Sequence, residues 1–255
     1  RGAIVQVADA TKGLQDLGHA VRTASGTRVI AITGSAGKTT TKDTIATFIG
    51  SRFNVVKNKG NLNNHIGLPL SLMQLHTGPD VAVMELGMNH AGEISTLVAI
   101  AEPDVRVWTN VGDAHLGFFE SSDAIAAAKS EILERADART VLVCNADDPR
   151  VMARVGGFPG RVVTFGAAER SSVRATSRDG CGRRLMQRIP VGRICGFLSC
   201  AIQNGTQRAD TLIFLGRGGI QRAFLCYIGR RRQVIDFLEV LAEERPPCRR
   251  FFIPA

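Results

Sequence analysis

From residue 28 to residue 165 short apolar runs alternate with helical patterns, and the first run leads directly into a glycine-rich, lysine-bearing turn. The runs Arg28 to Ile32, Val81 to Leu86, Val105 to Val111, Thr140 to Cys144 and Arg161 to Phe165 lack the in-out alternation of a half-exposed strand, so each reads as a strand buried on both faces. Between them, residues 39 to 49, 68 to 75, 93 to 101, 122 to 135 and 149 to 155 carry apolar residues at helical spacing. Strand and helix in strict succession predict an α/β fold with a mainly parallel sheet and helices on both faces. Ligands of such sheets bind at the carboxyl ends of the strands, and the polar residues of this chain collect there. The turn Gly34 to Thr40 follows the first strand, Glu85 ends the second, Asn110 to His115 follows the third, and Asn145, Asp147 and Asp148 follow the fourth.

The turn itself reads AITGSAGKTTTK over residues 31 to 42. A common phosphate-binding loop has a glycine five positions before the Gly-Lys pair, and here Ile32 holds that place. The remaining parts are present. Gly34 and Gly37 permit a tight turn and close approach to an anion, while the helix that follows offers free N–H groups. Lys38 supplies a charge for outer phosphates, and the Thr39 hydroxyl can ligate Mg2+. A glycine turn before a threonine-capped helix is the alternative.

Five further groups of polar residues stand out. GNLNNHIG, residues 60 to 67, is dense in amides that either hold turns or bind substrate. Glu85, at the end of an apolar strand, suits either a Mg2+ ligand or a cap and salt-bridge residue. Asn89, His90 and Glu93 can cap the helix that they precede. His115 in NVGDAHLGFF is either structural or a metal ligand. Lys129 interrupts the apolar face of AIAAAKSEIL, which predicts an inward lysine with shifted chemistry or a charged partner.

Composition separates this region from the rest. The chain has 255 residues and a formal charge of +9, but residues 1 to 176 hold 18 Lys and Arg against 17 Asp and Glu, whereas residues 177 to 255 hold 14 against 6. All six lysines lie at or before Lys129, and five of the six cysteines lie after residue 180. No C-x-x-C pair suggests a metal site, and a reducing cytoplasm is expected. No apolar run is long enough to span a membrane. A nucleic-acid function would rest on the tail charge alone, without interleaved aromatics or a recognition motif.

Taken together, TGSAGKTT, GNLNNHIGLPLSLM, ELGMNHAGEI, NVGDAHLGFF, AAAKSEI and NADD stand in one order. Residues 28 to 166 resemble the central ATP-binding domain of the Mur ligases, whose phosphate loop is the short form, and NNHIGLP with MNHAGEI favour the D-alanyl-D-alanine-adding branch. The resemblance implies an ATP-dependent ligase of peptidoglycan precursor synthesis, part of cell wall biogenesis, cell shape and division. Its substrates would be UDP-N-acetylmuramoyl-tripeptide and D-alanyl-D-alanine, joined through an acyl phosphate, with ATP and Mg2+ as cofactors and a monomeric state.

By position, the resemblance places Gly34, Ser35, Ala36, Gly37, Lys38, Thr39 and Thr40 on the phosphates and Asn145 and Asp147 at the adenosine end. Thr39 and Glu85 would hold one Mg2+, His115 a second, and Lys129 would become a carbamate that joins the metal-binding set. Lys38, His115 and Lys129 are thus the expected catalytic residues. Asn63, Asn64, Asn89 and His90 fall on the peptide-substrate side. Residues 1 to 25 resemble only the end of the family's UDP-substrate domain, 26 to 176 the central domain, and nothing in 177 to 255 matches the family's C-terminal domain. The start at Arg1 and this tail lead to the expectation of a truncated, inactive form with a poorly structured basic tail translated out of frame. The alternative function is an ATP- and Mg2+-binding module without ligase activity.

Overall fold

The computed structural model describes residues 4–112, 117, 119–178, 184–186, 196–200 and 211–215, with side chains described up to residue 174. His115, Asp113 and residues 234 to 244, whose apolar spacing suits a helix, lie outside the described residues.

Ten strands and six α-helices are described. In chain order they are α1 (Ala10–Ser25), β1 (Arg28–Thr33), α2 (Lys38–Ile49), β2 (Val55–Lys57), α3 (Gly67–Leu72), β3 (Val81–Glu85), α4 (Glu93–Ala101), β4 (Val105–Trp108), α5 (Ser122–Ser130), β5 (Val141–Asn145), α6 (Pro149–Met152), β6 (Arg161–Gly166), β7 (Val173–Arg178), β8 (Arg184–Met186), β9 (Gly196–Cys200) and β10 (Thr211–Leu215). The main sheet has the order β2-β3-β1-β4-β5-β6-β7-β8. Every pairing from β2 to β7 is parallel, and only β8 is antiparallel to its neighbour.

Both faces of the central strands are buried, as the continuous apolar runs require. Val29 and Ala31 of β1 point to one side with Ala82, Met84, Trp108, Leu142 and Cys144, where α3, α4, α5 and α6 cover them. Ile30 and Ile32 point to the other side with Val83, Val107, Val143 and Phe165, against Ile45, Phe48 and Ile49 of α2. Ile45 and Ile49 have no exposed surface. Each contributes roughly 1.5–3 kcal/mol by leaving water.

The chain departs from the expected elements where polar groups compete for the backbone. The helix expected over 122 to 135 becomes α5 followed by a 3-10 turn, Glu131–Leu133. There the buried Arg106 guanidinium takes the carbonyls of Ile132 and Glu134. The helix expected over 68 to 75 likewise tightens into a 3-10 turn, Met73–Thr77, and ends at the left-handed Gly78. The strand expected to reach Val111 stops at Trp108, because the Thr109 side chain bonds to the phosphate-loop backbone. The last expected helix shortens to Pro149–Met152. β2 and β7 are additional, whereas α1 falls where residues 8 to 22 resemble the helix that leads into the family's central domain. β9 and β10 add an antiparallel ribbon within the tail.

α1 starts at Asp9, whose side chain accepts from Lys12 N, and ends at left-handed Gly26. Its Arg22 is buried and donates to Ala101 O, Glu102 O and Asp104 Oδ2, so it caps α4 from outside.

Candidate phosphate-binding site

β1 is flanked by β3 on one side and β4 on the other, since the chain leaves β1 toward the β2 edge and returns across it. A crevice opens where strand order reverses in this way. The loop Gly34 to Gly37 sits at that point and is tied to the β4 exit. Ser35 N donates to Asn110 O (3.0 Å), Ala36 N to Asn110 Oδ1 (2.9 Å), and the Thr109 hydroxyl to Ala36 O (2.9 Å). Ser35 Oγ donates to Gly112 O (3.0 Å).

Two glycines are required here. At Gly34, with φ 151°, a Cβ would lie 1.9 Å from Thr109 Oγ1. Gly37 has φ 78° and is the residue from which α2 begins, with no side-chain cap on the helix N–H groups. The first turn of α2 therefore presents backbone donors and a positive dipole end to the crevice. Lys38 Nζ donates to Gly34 O (2.8 Å), which lays its tip along the loop. Burial lowers the Lys38 pKa below its ordinary value, and Glu85 offsets part of that shift.

Glu85 is buried at the end of β3 and held on every side. Asn58 donates to its carbonyl (3.1 Å) and accepts from its N–H (2.9 Å). Its carboxylate accepts from Thr39 Oγ1 (2.8 Å) and Asn63 Nδ2 (2.9 Å). Lys42 Nζ lies 3.8 Å from the same carboxylate. A hydroxyl and a carboxylate in contact beside a phosphate loop form a fitting oxygen donor pair for Mg2+, which usually takes one or two carboxylates and completes its shell with water and phosphate. Among the described residues no group of three or more His, Cys, Asp or Glu could form a metal cage.

Lys129 faces inward on α5 with 1% of its surface exposed. It makes no salt bridge among the described residues, and burial together with the nearby Lys38 charge pushes its pKa down to about 7. The inward orientation agrees with the sequence reading, and the charged neighbour is a cation.

Several expected site residues do structural work. Asn64 Oδ1 accepts from Ile66 N and Gly67 N and so starts α3. Asp147 accepts from Ala167 N (2.8 Å) and Ala168 N (2.9 Å), joining the ends of β5 and β6, while Asn145 Oδ1 accepts from Asp147 N. Asn89 N and His90 N both donate to Glu93 Oε2, and the two side chains are exposed. Those hydrogen bonds bring the Glu93 pKa below the ordinary carboxylate value, against a burial contribution that alone would raise it.

Asn58, Thr109 and Lys42 are site residues the sequence reading did not single out. Lys42 carried the clearest signal, since it stands three residues after Thr39 and four after Lys38 on one helix face.

The family model described as "Mur ligase middle domain" matches residues 32–185, more than half of the chain. The chain belongs to the Mur ligase middle-domain family. The UDP-N-acetylmuramoyl-tripeptide–D-alanyl-D-alanine ligase of Bacillus subtilis is 44% identical to this Mur ligase domain over 147 residues, covering 58% of this chain and 32% of that protein. The chain thus spans about a third of the length of the curated relatives it matches. A crystal structure of MurF from Acinetobacter baumannii superposes with a TM-score of 0.64 at 31% identity, over 82% of this chain and 41% of that one. The MurF ligase of Thermotoga maritima in complex with ADP gives 0.64 at 26% identity, over 84% and 45%.

Proposed function

We propose that this Mur ligase domain binds ATP with Mg2+ at the 34–40 loop and serves the joining of D-alanyl-D-alanine to UDP-N-acetylmuramoyl-tripeptide, a cytoplasmic step of peptidoglycan precursor synthesis. The observation that carries this reading is the convergence of loop, Lys38 tip and Thr39–Glu85 pair on the sheet's switch point. The names of the relatives supply the substrates, and an ADP complex among the similar structures supports the nucleotide.

In the reaction, the peptide carboxylate attacks the γ-phosphorus of ATP and ADP leaves. The D-alanyl-D-alanine amine then attacks the acyl carbon, phosphate departs, and the amine loses a proton. Both steps gather anions, so the domain's part is positioning and charge neutralisation. Lys38 and the α2 N–H groups hold the β- and γ-phosphates, with Ser35, Ala36 and Thr40 completing the cradle. Thr39 and Glu85 would hold Mg2+, which would supply positive charge against the phosphates. His115 is the proposed ligand of a second Mg2+.

A buried lysine with a pKa near 7 keeps a large neutral fraction at physiological pH. Its lone pair can add to CO2, forming an N–C bond with loss of one proton, and the resulting carbamate anion is the proposed working form of Lys129. Asn63 reaches the cleft through Glu85. Asn64, Asn89 and His90 shape the peptide side, and Asn145 and Asp147 the adenosine side.

A second reading is nucleotide binding without ligation. The two separate when ATP binding and D-alanyl-D-alanine-dependent phosphate release are measured on the 255-residue chain with UDP-N-acetylmuramoyl-tripeptide present. Binding with release supports ligation, binding alone supports the module, and no binding defeats both.

A further inference from the structure

One charge beneath the phosphate loop has no part in the reaction described above. Lys42 lies on α2 with 2% of its surface exposed, and its one ion pair among the described residues is with Glu85, Nζ to Oε2 at 3.8 Å. The Glu85 carboxylate has shorter contacts with two neutral donors, Thr39 Oγ1 at 2.8 Å and Asn63 Nδ2 at 2.9 Å, and Asn58 fixes its backbone from both sides. Geometry is therefore secured without Lys42. At 3.8 Å the ammonium adds charge rather than a well-formed hydrogen bond. Burying a lysine is costly, and an apolar side chain would fill the same place on α2 at lower cost. The charge itself is what this position supplies.

We propose that Lys42 is a buried counter-cation that neutralises Glu85, so that the site takes a divalent ion only together with nucleotide phosphates. The inference rests on the reading of Glu85 as a metal ligand. Lys38 and Lys42 stand beside one described carboxylate, Glu85, and this balance disfavours a bare dication while attracting a polyanion. Phosphates brought by ADP or ATP reverse the local sign, and the cation then gains both Glu85 and phosphate oxygens. Lys42 acts through Glu85 and touches neither nucleotide nor metal, which makes it a positioning residue that sets binding order.

The test is a Mn2+ titration of the chain with and without ADP, read by electron paramagnetic resonance of the free ion, at about pH 8 where carboxylates are ionised. Wild type is expected to bind Mn2+ weakly alone and much more tightly with ADP. Lys42→Met and Lys42→Gln remove one nearby positive charge and should each tighten nucleotide-free Mn2+ binding at least about tenfold, shrinking the coupling to ADP by the same factor. Lys42→Arg should behave as wild type. A purely structural lysine would alter the melting temperature and leave the coupling unchanged.

Glu85→Gln separates the two claims. If it leaves Mn2+ binding to the ADP complex intact, the metal-ligand reading fails. If it abolishes that binding while both folded neutral variants at position 42 hold Mn2+ no more tightly than wild type without ADP, the counter-cation role is overturned.

Discussion

Lys129 shows how a single buried charge couples stability to chemistry. Its pKa is about 7 in the folded chain against 10.5 ordinarily, so between these values the unfolded chain binds more protons than the folded one. Stability therefore rises with pH across that window, and the full penalty of the buried ammonium is felt below pH 7. Lys129→Met should raise stability by a few kcal/mol below pH 7, with the gain fading to nothing above about pH 10.5. Urea unfolding of both chains across this range, in CO2-depleted buffer, measures it. A gain independent of pH would show that packing rather than charge is responsible.

Asp148 makes a second residue-scale case. Its carboxylate accepts from Val111 N (2.7 Å) and from Arg150 N and Val151 N, so it caps α6 and anchors the β4 exit together. Asp148→Ala should cost about 1–3 kcal/mol by orphaning these donors, seen as a lower unfolding midpoint. At this scale the sequence reveals chemistry better than partnership. That Lys38, Thr39 and Glu85 would lie together was legible because a phosphate loop restricts residue types at fixed spacing and Glu85 ends an apolar strand. The turn-holding contacts of Asn64 and Asp147 were not, since an amide or carboxylate that holds a turn looks in sequence like one that binds a ligand. Asn58 was hidden because its importance comes from meeting Glu85, 27 positions away.

Among the elements, the five central strands were legible because burial on both faces leaves an unbroken apolar run. β2 was not, being three residues long at the sheet edge and only partly buried. Helix ends were misread where a side chain from elsewhere claimed the carbonyls, as Arg106 does after α5. α1 offers a direct test of docking between elements. A Cβ added at Gly18 would lie 2.9 Å from Pro69 Cα, so Gly18→Val should push α1 off α3. Amide hydrogen exchange should then accelerate across residues 10–25 while β1 and β3 keep their protection. Uniform acceleration would instead mean that α1 and the sheet unfold as one unit.

The whole domain is organised so that the reversal of strand order at β1 places a glycine loop, a helix start and a strand-end carboxylate in one crevice. Topology brings together Gly34, Thr39, Glu85 and Thr109 from three separate segments. The composition change after residue 176 belongs to this scale too. We propose out-of-frame translation there, which predicts that another reading frame of the coding DNA continues the Mur ligase sequence; its absence in both other frames would reject the idea.

The most direct measurement is an equilibrium titration of the chain with ADP and Mg2+, for wild type and Lys38→Ala. The site described here predicts saturable, Mg2+-dependent binding by wild type and at least about a hundredfold loss in the variant, the scale expected when a charge-assisted phosphate contact is removed. Equal affinity in the two chains would contradict it.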